Sequence, residues 1–277
     1  MTTVLYRSFT GTAAENYENH FVPKIARPVS VALLGAADLR PGERDLDVAC
    51  GTGLIARLAA ERVGASGTVT GLDLSPDMIE VARASSPSTI TWNVGDAESL
   101  PFPDHAYDVV LCQMGLMFMQ DRHAAVAEMQ RVTAPGGRVV VNTPGVIQPP
   151  FALMEQALVD HISADLGGFV RAVFSMHDPE GLASLLRDAG LVDVTAATST
   201  ATLNVGAPAD FLWQYINLTP MGPVVAHAPA TAQEAMERHV VASWQPFIVD
   251  GALAISQPMV VAAGHRSGAT PVQRRAD

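Results

Sequence analysis

Between residues 46 and 142 the chain alternates between short, continuous apolar runs and longer stretches whose apolar residues recur every three or four positions. Short apolar runs bounded by turn residues predict buried strands, and the wider spacing predicts helices with one apolar face. The predicted strands are Leu46–Ala49, Thr68–Leu74, Ile90–Val94, Tyr107–Gln113 and Arg138–Asn142. The predicted helices are Leu54–Val63, one that opens at Ser75-Pro76-Asp77, and Ala124–Val132. This alternation predicts an α/β fold, in which a doubly wound parallel sheet carries helices on both faces.

Helical patterns flank this region on both sides. Residues 1–40 predict helices broken at Pro23 and Pro28, which we interpret as an N-terminal lid on a core of residues 41–145. Residues 146–264 are expected to complete the sheet and form a helical cap, and the polar residues 265–277 are expected to be disordered. The elements predicted after residue 145 are a helix over Phe151–Phe174 with a break at Gly167-Gly168, a helix from Asp178-Pro179 to Gly190, a strand over Leu191–Val205, helices over Pro208–Leu218 and Thr231–Trp244, and a strand over Met259–Ala263.

Composition and charge narrow the class of protein. The 277 residues carry a formal net charge of −11, and Lys24 is the only lysine. Nucleic-acid binding needs a basic face, so we expect no nucleic-acid partner and no membrane partner. The N-terminus lacks a signal-peptide pattern and no apolar stretch reaches about 20 residues, which predicts a cytoplasmic protein. Cys50 and Cys112 give neither a zinc spacing nor a disulfide framework, so we expect two reduced thiols and no metal.

The loop Cys50-Gly51-Thr52-Gly53 leaves the first predicted strand and feeds a helix. In open parallel sheets ligands bind beyond the carboxyl ends of the strands, and glycines let the backbone approach a ligand closely. This loop alone is ambiguous. Gly51-x-Gly53-x-x-Ala56, with Asp73 about 20 residues further on, also fits the dinucleotide-binding fingerprint.

Three acidic residues at neighbouring strand ends favour a different ligand. Asp47 lies inside the first strand, where it repels a pyrophosphate and attracts the ammonium group of an amino acid. Asp73 ends the second strand and is placed to accept hydrogen bonds from ribose hydroxyls. Asp96 follows the third strand and is placed to accept from an adenine amino group. Together the three acids indicate a nucleoside that carries a cationic amino acid.

These segments resemble the class I S-adenosylmethionine-dependent methyltransferases, in particular the small-molecule group that includes the ubiquinone/menaquinone biosynthesis enzymes. The resemblance covers residues 40–143 in the family's order, and its motifs are jointly specific. The motifs are Leu46-Asp47-Val48-Ala49-Cys50-Gly51-Thr52-Gly53, Gly71-Leu72-Asp73-Leu74-Ser75-Pro76-Asp77-Met78, Gly95-Asp96-Ala97-Glu98-Ser99-Leu100-Pro101-Phe102, Tyr107-Asp108-Val109-Val110, and Glu128-Met129-Gln130-Arg131-Val132 followed by Pro135-Gly136-Gly137.

The resemblance implies a seven-stranded sheet in the order 3-2-1-4-5-7-6, with an antiparallel last strand, and S-adenosylmethionine as the cofactor. It implies that Asp47, Ala49, Cys50, Gly51 and Gly53 hold the methionine end. The other cofactor-binding residues that it implies are Asp73, Leu74 and Met78 at the ribose, Asp96 and Ala97 at the adenine, Gln113 and Met114 near the sulfonium, and Tyr6, Phe9 and Tyr17 in the lid.

Two further aspartates have structural interpretations. Asp45 departs from the family, which usually has an aliphatic residue there, and we interpret this as a strand that begins later in this chain. Asp108 starts the fourth predicted strand, where a structural acid is favoured over a catalyst.

Residues of the acceptor site are less clearly marked. Phe118 lies in the run Met114-Gly115-Leu116-Met117-Phe118-Met119, which suits a soft pocket as well as a core. Trp213 and Tyr215 are candidate pocket walls, although packing between cap and core explains them too. No catalytic residue is assigned. His177 and His161 are weak candidates for a general base, since an imidazole exchanges protons near neutral pH.

The function that we predict is methyl transfer to a small, modestly apolar acceptor such as a phenol, a quinone or another secondary metabolite. The protein is expected to be a monomer or a homodimer. Two alternatives stay open: a cofactor-binding protein of this fold with a regulatory or non-methylating role, and an NAD-dependent oxidoreductase. The oxidoreductase is disfavoured by Asp47 and Asp96, and by the lack of a Tyr-x-x-x-Lys pair.

Overall fold

The computed structural model describes residues 12–268, which fold around one mixed sheet. The strand order is β3-β2-β1-β4-β5-β8-β6, and β7 pairs with β8 outside this path. Strands β1 to β5 are parallel, whereas β8 is antiparallel to β5 and β6. The expected strand order is confirmed. The strand predicted as the seventh is numbered β8 here, because the short strand β7 was not predicted. The strands are β1 Arg44–Val48, β2 Thr68–Asp73, β3 Ile90–Val94, β4 Tyr107–Gln113, β5 Thr133–Pro144, β6 Val192–Asn204, β7 Ile248–Val249 and β8 Ala252–His265.

The helices lie on both faces of the sheet and at its carboxyl end. None of those within residues 12–268 is long and apolar enough to cross a bilayer. They are α1 Thr12–Asn16, a π-helix Tyr17–Ala26, α2 Arg27–Ala37, α3 Leu54–Val63, α4 Pro76–Ala84, α5 Arg122–Val132, α6 Pro149–His161, α7 Leu166–Val173, α8 Pro179–Asp188, α9 Pro208–Asn217, α10 Met221–His227 and α11 Ala230–Ser243.

The breaks predicted at Pro23 and Pro28 are wrong, because residues 12–37 form one continuous helical segment. Pro23 lies inside the π-helix, where the amide of Arg27 reaches back five residues to the carbonyl of Val22. Pro28 is within the first turn of α2. A proline lacks an amide hydrogen, and a π-helical stretch or a first helical turn tolerates that lack.

Several other boundaries differ from the predictions for tertiary reasons. Strand β1 begins at Arg44, so Asp45 lies inside the strand and is fully buried. The long helix predicted over Phe151–Phe174 breaks between α6 and α7, not at its two glycines. Gly167 instead lets α7 approach α6, since a Cβ there would lie 3.0 Å from the Val159 side chain.

The largest hydrophobic cluster joins the N-terminal helical segment to the cap. Phe21, Val22 and Ile25 of the π-helix belong to the same cluster as buried residues of α6, α7, α9, α10 and α11. The cluster also contains Met117, which follows β4, and Met259 of β8. The expected lid and cap therefore form one apolar layer at the carboxyl end of the sheet, and we keep the domain division as an interpretation.

Candidate functional site

A cavity of about 320 Å³ lies where the carboxyl ends of β1 to β4 meet, and we call it the strand-end cavity. Its lining holds three acidic residues and, among the described residues, no lysine, arginine or histidine. That electrostatic character suits a cationic ligand and opposes a diphosphate. The lining residues are Tyr17, Ala49, Gly51, Leu72, Asp73, Leu74, Ser75, Pro76, Met78, Gly95, Asp96, Ala97, Glu98, Gln113, Met114, Gly115, Phe118 and Met119.

Asp47 lies at the end of β1 beside a small recess that it shares with Tyr17, Cys50 and Gln113. Its Oδ2 accepts a hydrogen bond of 2.9 Å from the Ala56 amide, at the start of α3. Its Oδ1 is buried and has no partner within the described residues. Burial raises the pKa of Asp47 to about 8, against the Ala56 hydrogen bond that lowers it. A buried carboxyl oxygen without a partner is a ready acceptor for a ligand ammonium group.

The two glycines of the loop have different roles. Both have left-handed backbones, with φ of 54° at Gly51 and 86° at Gly53. Gly51 lines the strand-end cavity, and a Cβ there would lie 3.6 Å from the Tyr17 ring. Gly53 lines neither this cavity nor the recess. A Cβ at Gly53 would lie 2.3 Å from the Trp92 ring, so Gly53 makes room for Trp92, and its role toward a ligand stays a prediction.

The carboxylates after β2 and β3 are held by backbone amides. Asp73 accepts 2.8 Å and 2.9 Å hydrogen bonds from the amides of Gly51 and Ser75, which also fix the glycine loop. Burial raises the pKa of Asp73, and these amide hydrogen bonds oppose the rise. Asp96 accepts a 3.0 Å hydrogen bond from the Glu98 amide. Both side chains therefore face the cavity with fixed orientations and spare lone pairs.

Gln113, the last residue of β4, and Met114, which follows it, line the strand-end cavity. Met114 has φ of 53°, and its amide donates to the backbone carbonyl and side-chain oxygen of Asn142 at 3.0 Å and 3.1 Å. The side-chain amide nitrogen of Gln113 donates a 3.1 Å hydrogen bond to the carbonyl of Ala26. These contacts hold the end of β4 against both β5 and the N-terminal helical segment.

The N-terminal helical segment closes one side of the cavity. Tyr17 stacks on Phe21 with ring centroids 4.6 Å apart, and it lines the cavity beside Gly51. Glu18 forms a 2.8 Å ion pair with Arg57 of α3, whose guanidinium also donates 2.6 Å to the Thr52 carbonyl. The lid is thereby tied to the glycine loop. The other two predicted lid residues, Tyr6 and Phe9, lie outside the described residues.

A second cavity of about 60 Å³, which we call the apolar cavity, lies beneath the cap helices. It shares Tyr17, Met114 and Phe118 with the strand-end cavity, so the two adjoin. Its described lining contains no ionisable acid, lysine, arginine or histidine. The lining residues are Tyr17, Phe21, Ile25, Val29, Met114, Met117, Phe118, Pro144, Phe151, Phe169, Val173, Phe174, Leu203, Tyr215, Leu218, Thr219, Gln257 and Met259.

The structure brings two of the three predicted acceptor-site residues to this cavity. Phe118 stands between the two cavities, and the buried Tyr215 lines the apolar cavity. Trp213 lines neither, and its indole nitrogen donates 2.9 Å to Glu237 of α11. In a helix of 3.6 residues per turn, a residue two positions before Tyr215 is rotated by about 200° around the helix axis, so it lies on nearly the opposite face of α9. Trp213 therefore joins α9 to α11 within the cap.

Neither weak candidate for a general base lines the strand-end cavity or the apolar cavity. His177 is exposed, and its Nδ1 lies 2.9 Å from the Phe174 carbonyl. Nε2 of His161 lies 3.1 Å from Nδ1 of His239, so the pair joins α6 to α11. Both histidines have local structural partners, and we do not retain either of them as a catalytic group.

The thiols and Asp108 have structural surroundings, as expected. Cys50 and Cys112 are both buried and free, and burial raises the pKa of each thiol, that of Cys112 to about 12. Asp108 accepts from the backbone amide of Arg44 and pairs with its guanidinium at 2.7 Å, which holds the pKa of Asp108 below its usual range. No group of three or more possible metal ligands occurs within residues 12–268.

Sequence reasoning missed most of the apolar cavity. Phe151, Phe169 and Phe174 lie in the predicted cap, and their aromatic character was a usable signal. Gln257 and Thr219 gave no signal, because a lone glutamine in a strand and a threonine after a helix are commonplace. Their place in the cavity depends on long-range packing.

Comparison with known proteins agrees with this geometry. The methyltransferase domain family matches residues 46–141. Nocamycin O-methyltransferase of Saccharothrix syringae is 34% identical over 187 residues, which are 61% of this chain and 66% of that protein. The ubiquinone/menaquinone biosynthesis C-methyltransferase UbiE of Bordetella parapertussis is 36% identical over 182 residues, which are 61% of this chain and 70% of that protein. The matched regions thus cover about two thirds of both relatives.

A solved structure shows the same fold. Phosphoethanolamine N-methyltransferase 2 of Haemonchus contortus, bound to S-adenosylhomocysteine, aligns with a TM-score of 0.60 and 20% identity. The alignment covers 95% of this chain and 59% of that one. Together with the sequence relatives, this places the chain in the class I S-adenosylmethionine-dependent methyltransferases.

The described residues fit the family's cofactor. The unpaired Oδ1 of Asp47 suits an ammonium group, and Gly51 leaves room for a ligand against the loop. Asp73 and Asp96 face the same cavity and suit ribose hydroxyls and an adenine amino group. The residues that would hold S-adenosylmethionine are Tyr17, Asp47, Ala49, Cys50, Gly51, Asp73, Leu74, Met78, Asp96, Ala97, Gln113 and Met114.

Proposed function

We propose that the protein methylates a small, modestly apolar acceptor, such as a phenol, a quinone or another secondary metabolite. The observation that carries this proposal is the apolar cavity, which adjoins the strand-end cavity through Tyr17, Met114 and Phe118. An acceptor in the apolar cavity would present its nucleophile toward Met114, which follows β4, lines both cavities and would lie near the sulfonium of the cofactor. The cofactor supplies a methyl group that is already activated by a sulfonium.

The residues of this chain would act mainly by positioning and by excluding water. Holding two reactants in attack geometry is worth about 7–11 kcal/mol. Met114 and Phe118 supply apolar surface at the junction, and Tyr17 closes it from the lid. Because the described lining of the apolar cavity carries no acid, lysine, arginine or histidine, we assign no general base. The nucleophile must then lose its proton to water. Otherwise it has no proton that must be lost on methylation.

Cavity size bears on how the acceptor enters. An engineered cavity that binds benzene has about 150 Å³. The apolar cavity has about 60 Å³, so an aromatic acceptor needs the cap helices to separate or needs part of the strand-end cavity. We propose that the cap moves, because α6, α7 and α9 line the cavity with mainly apolar side chains. Contacts between such side chains are non-directional and can re-form around a ligand.

The relatives are compatible with more than one kind of acceptor atom. One is named an O-methyltransferase and another a C-methyltransferase. For this chain we propose a small-molecule acceptor, and a monomer or a homodimer.

A transfer assay tests the proposal. The purified protein is incubated with methyl-labelled S-adenosylmethionine and a panel of phenols, hydroquinones and a host extract. We expect label in a product that organic solvent extracts, and loss of that label in Asp47→Asn. The matched control Asp160→Asn changes an exposed aspartate that accepts a hydrogen bond from Gln156 and should keep the activity. Tight cofactor binding without label in any fraction would overturn the proposal in favour of a non-methylating role.

A further inference from the structure

Gln257 is a buried polar side chain in an otherwise apolar part of the molecule. It lies in β8 and is 4% exposed. Pro144, the last residue of β5, pairs with Met259, so Gln257 lies on the part of β8 that extends past the end of β5. This extension carries Gln257 into the lining of the apolar cavity.

One end of the Gln257 amide lacks a partner. Its Nε2 donates a 2.7 Å hydrogen bond to the carbonyl of Pro258, whereas its Oε1 is buried and unpaired. A carbonyl can pair only with a donor, so the amide group cannot be reversed without losing this bond. Leaving a buried amide oxygen unpaired is unfavourable. A ligand that donates to this oxygen recovers that cost.

The surroundings define what such a ligand can carry. The described lining of the apolar cavity offers the Tyr215 and Thr219 hydroxyls as its further polar groups on the cap side. Thr219 donates 2.9 Å to the Ile216 carbonyl, and burial raises the pKa of Tyr215, so that phenol stays neutral. No described lining residue is cationic. A carboxylate or phosphate on the acceptor would be left without a counter-charge, at a large desolvation cost.

We infer that Gln257 selects acceptors that carry a hydroxyl or N–H donor and no anionic group. The inference rests on the proposed function, because it treats the apolar cavity as the acceptor site. Gln257 lines the apolar cavity but not the strand-end cavity, so the donor it accepts from is an anchor separate from the methylated atom. The substrate class is an uncharged, largely apolar molecule with two functional groups at opposite ends.

Binding of matched probes to the protein loaded with S-adenosylhomocysteine tests this inference without methyl transfer. The probes are 2-naphthol, 2-methylnaphthalene and 2-naphthoate, which present a hydroxyl, a methyl and a carboxylate on one ring system. Titration calorimetry should show that 2-naphthol binds about tenfold more tightly than 2-methylnaphthalene, as expected for one hydrogen bond to an otherwise unpaired buried group. It should show no binding of 2-naphthoate.

The variant Gln257→Met keeps the length of the side chain and removes the acceptor oxygen. It should abolish the preference for 2-naphthol, and Gln257→Leu should do the same if the methionine variant folds poorly. Gln156→Met, on the exposed side of α6, is the matched control and should keep the preference. A preference that survives in both Gln257 variants would overturn the inference, even if methyl transfer is found. A lost preference without any methyl transfer would support the inference and count against the proposed reaction alone.

Discussion

Asp47 makes cofactor binding depend on pH in a direction that can be calculated. Its carboxyl has a pKa raised to about 8 by burial, so it is mostly protonated at neutral pH before the cofactor binds. A ligand ammonium group pairs with the ionised form only. Binding below pH 8 therefore releases about one proton, and the affinity falls as the pH falls.

The magnitude follows from the fraction of Asp47 that is ionised. With a pKa of about 8, that fraction is about 24% at pH 7.5 and about 1% at pH 6. The affinity should thus fall about 25-fold over this range, equivalent to about 2 kcal/mol. Above pH 8 it falls again, because a ligand α-amino group itself deprotonates near pH 7.7–8.0.

Isothermal titration with S-adenosylhomocysteine measures this in buffers of different ionisation enthalpy. We expect a maximum near pH 8, an uptake of one proton by the buffer at pH 6, and a steep loss of affinity between them. Asp47→Asn should bind about 10- to 100-fold more weakly at pH 8, as expected for a lost charge-assisted hydrogen bond, and should lose most of the dependence below pH 7. Asp160→Asn should behave as wild type. An affinity that is flat from pH 6 to pH 8 in the wild type would refute this reasoning.

Three more predictions concern stability and the lid. Asp45 is buried without a partner and burial raises its pKa, so the unliganded fold loses stability as pH rises above about 4. Asp45→Val should therefore add about 1–3 kcal/mol to the free energy of unfolding in urea at pH 7.5, and less at pH 4.5. Gly53→Ala places a Cβ 2.3 Å from Trp92 and should cost about 1–3 kcal/mol more than Gly51→Ala, measured in the same way; equal losses would contradict the assigned roles. Glu18→Gln removes the ion pair to Arg57, and stopped-flow measurement should show S-adenosylhomocysteine dissociating about three- to tenfold faster. An unchanged dissociation rate would show that this ion pair does not help the lid to retain the cofactor.

The sequence predicted the elements whose signals are local. The bounds of α3, β3 and β4 agree with the structure because each has an apolar pattern closed by turn residues or a glycine. The order of the strands needed the family resemblance as well, since periodicity does not say which strands are neighbours. The candidate cofactor residues at the ends of β1, β2 and β3 could be predicted because a short motif and a strand end coincide there, and the structure places them around the strand-end cavity and its recess.

The failures have a common physical cause, which is packing between distant segments. Gly53 was predicted from a ligand-binding motif alone, and its close packing against Trp92 of β3 was not predicted. Asp45 was interpreted as lying before the strand because the family usually has an aliphatic residue there, yet the structure buries it inside β1. Pro23 was interpreted as a break, although the helical segment around it is buried against the cap and continues as a π-helix.

The acceptor site was the least predictable part for the same reason. Tyr215 and Trp213 are aromatic and lie two positions apart, but only the rotation of α9 against its neighbours decides which of them faces the cavity. Gln257 depends on the register between β5 and β8. No local pattern records that register.

We propose that Asp73 and Asp96 in the strand-end cavity and Asp47 in the adjoining recess together hold S-adenosylmethionine. A crystal structure of the protein with S-adenosylhomocysteine tests it most directly. We expect the ligand ammonium to donate to Oδ1 of Asp47, the ribose hydroxyls to Asp73, and the adenine amino group to Asp96. A ligand with its amino-acid end away from Asp47, or bound outside the strand-end cavity and its recess, would show that these carboxylates do not form the cofactor site.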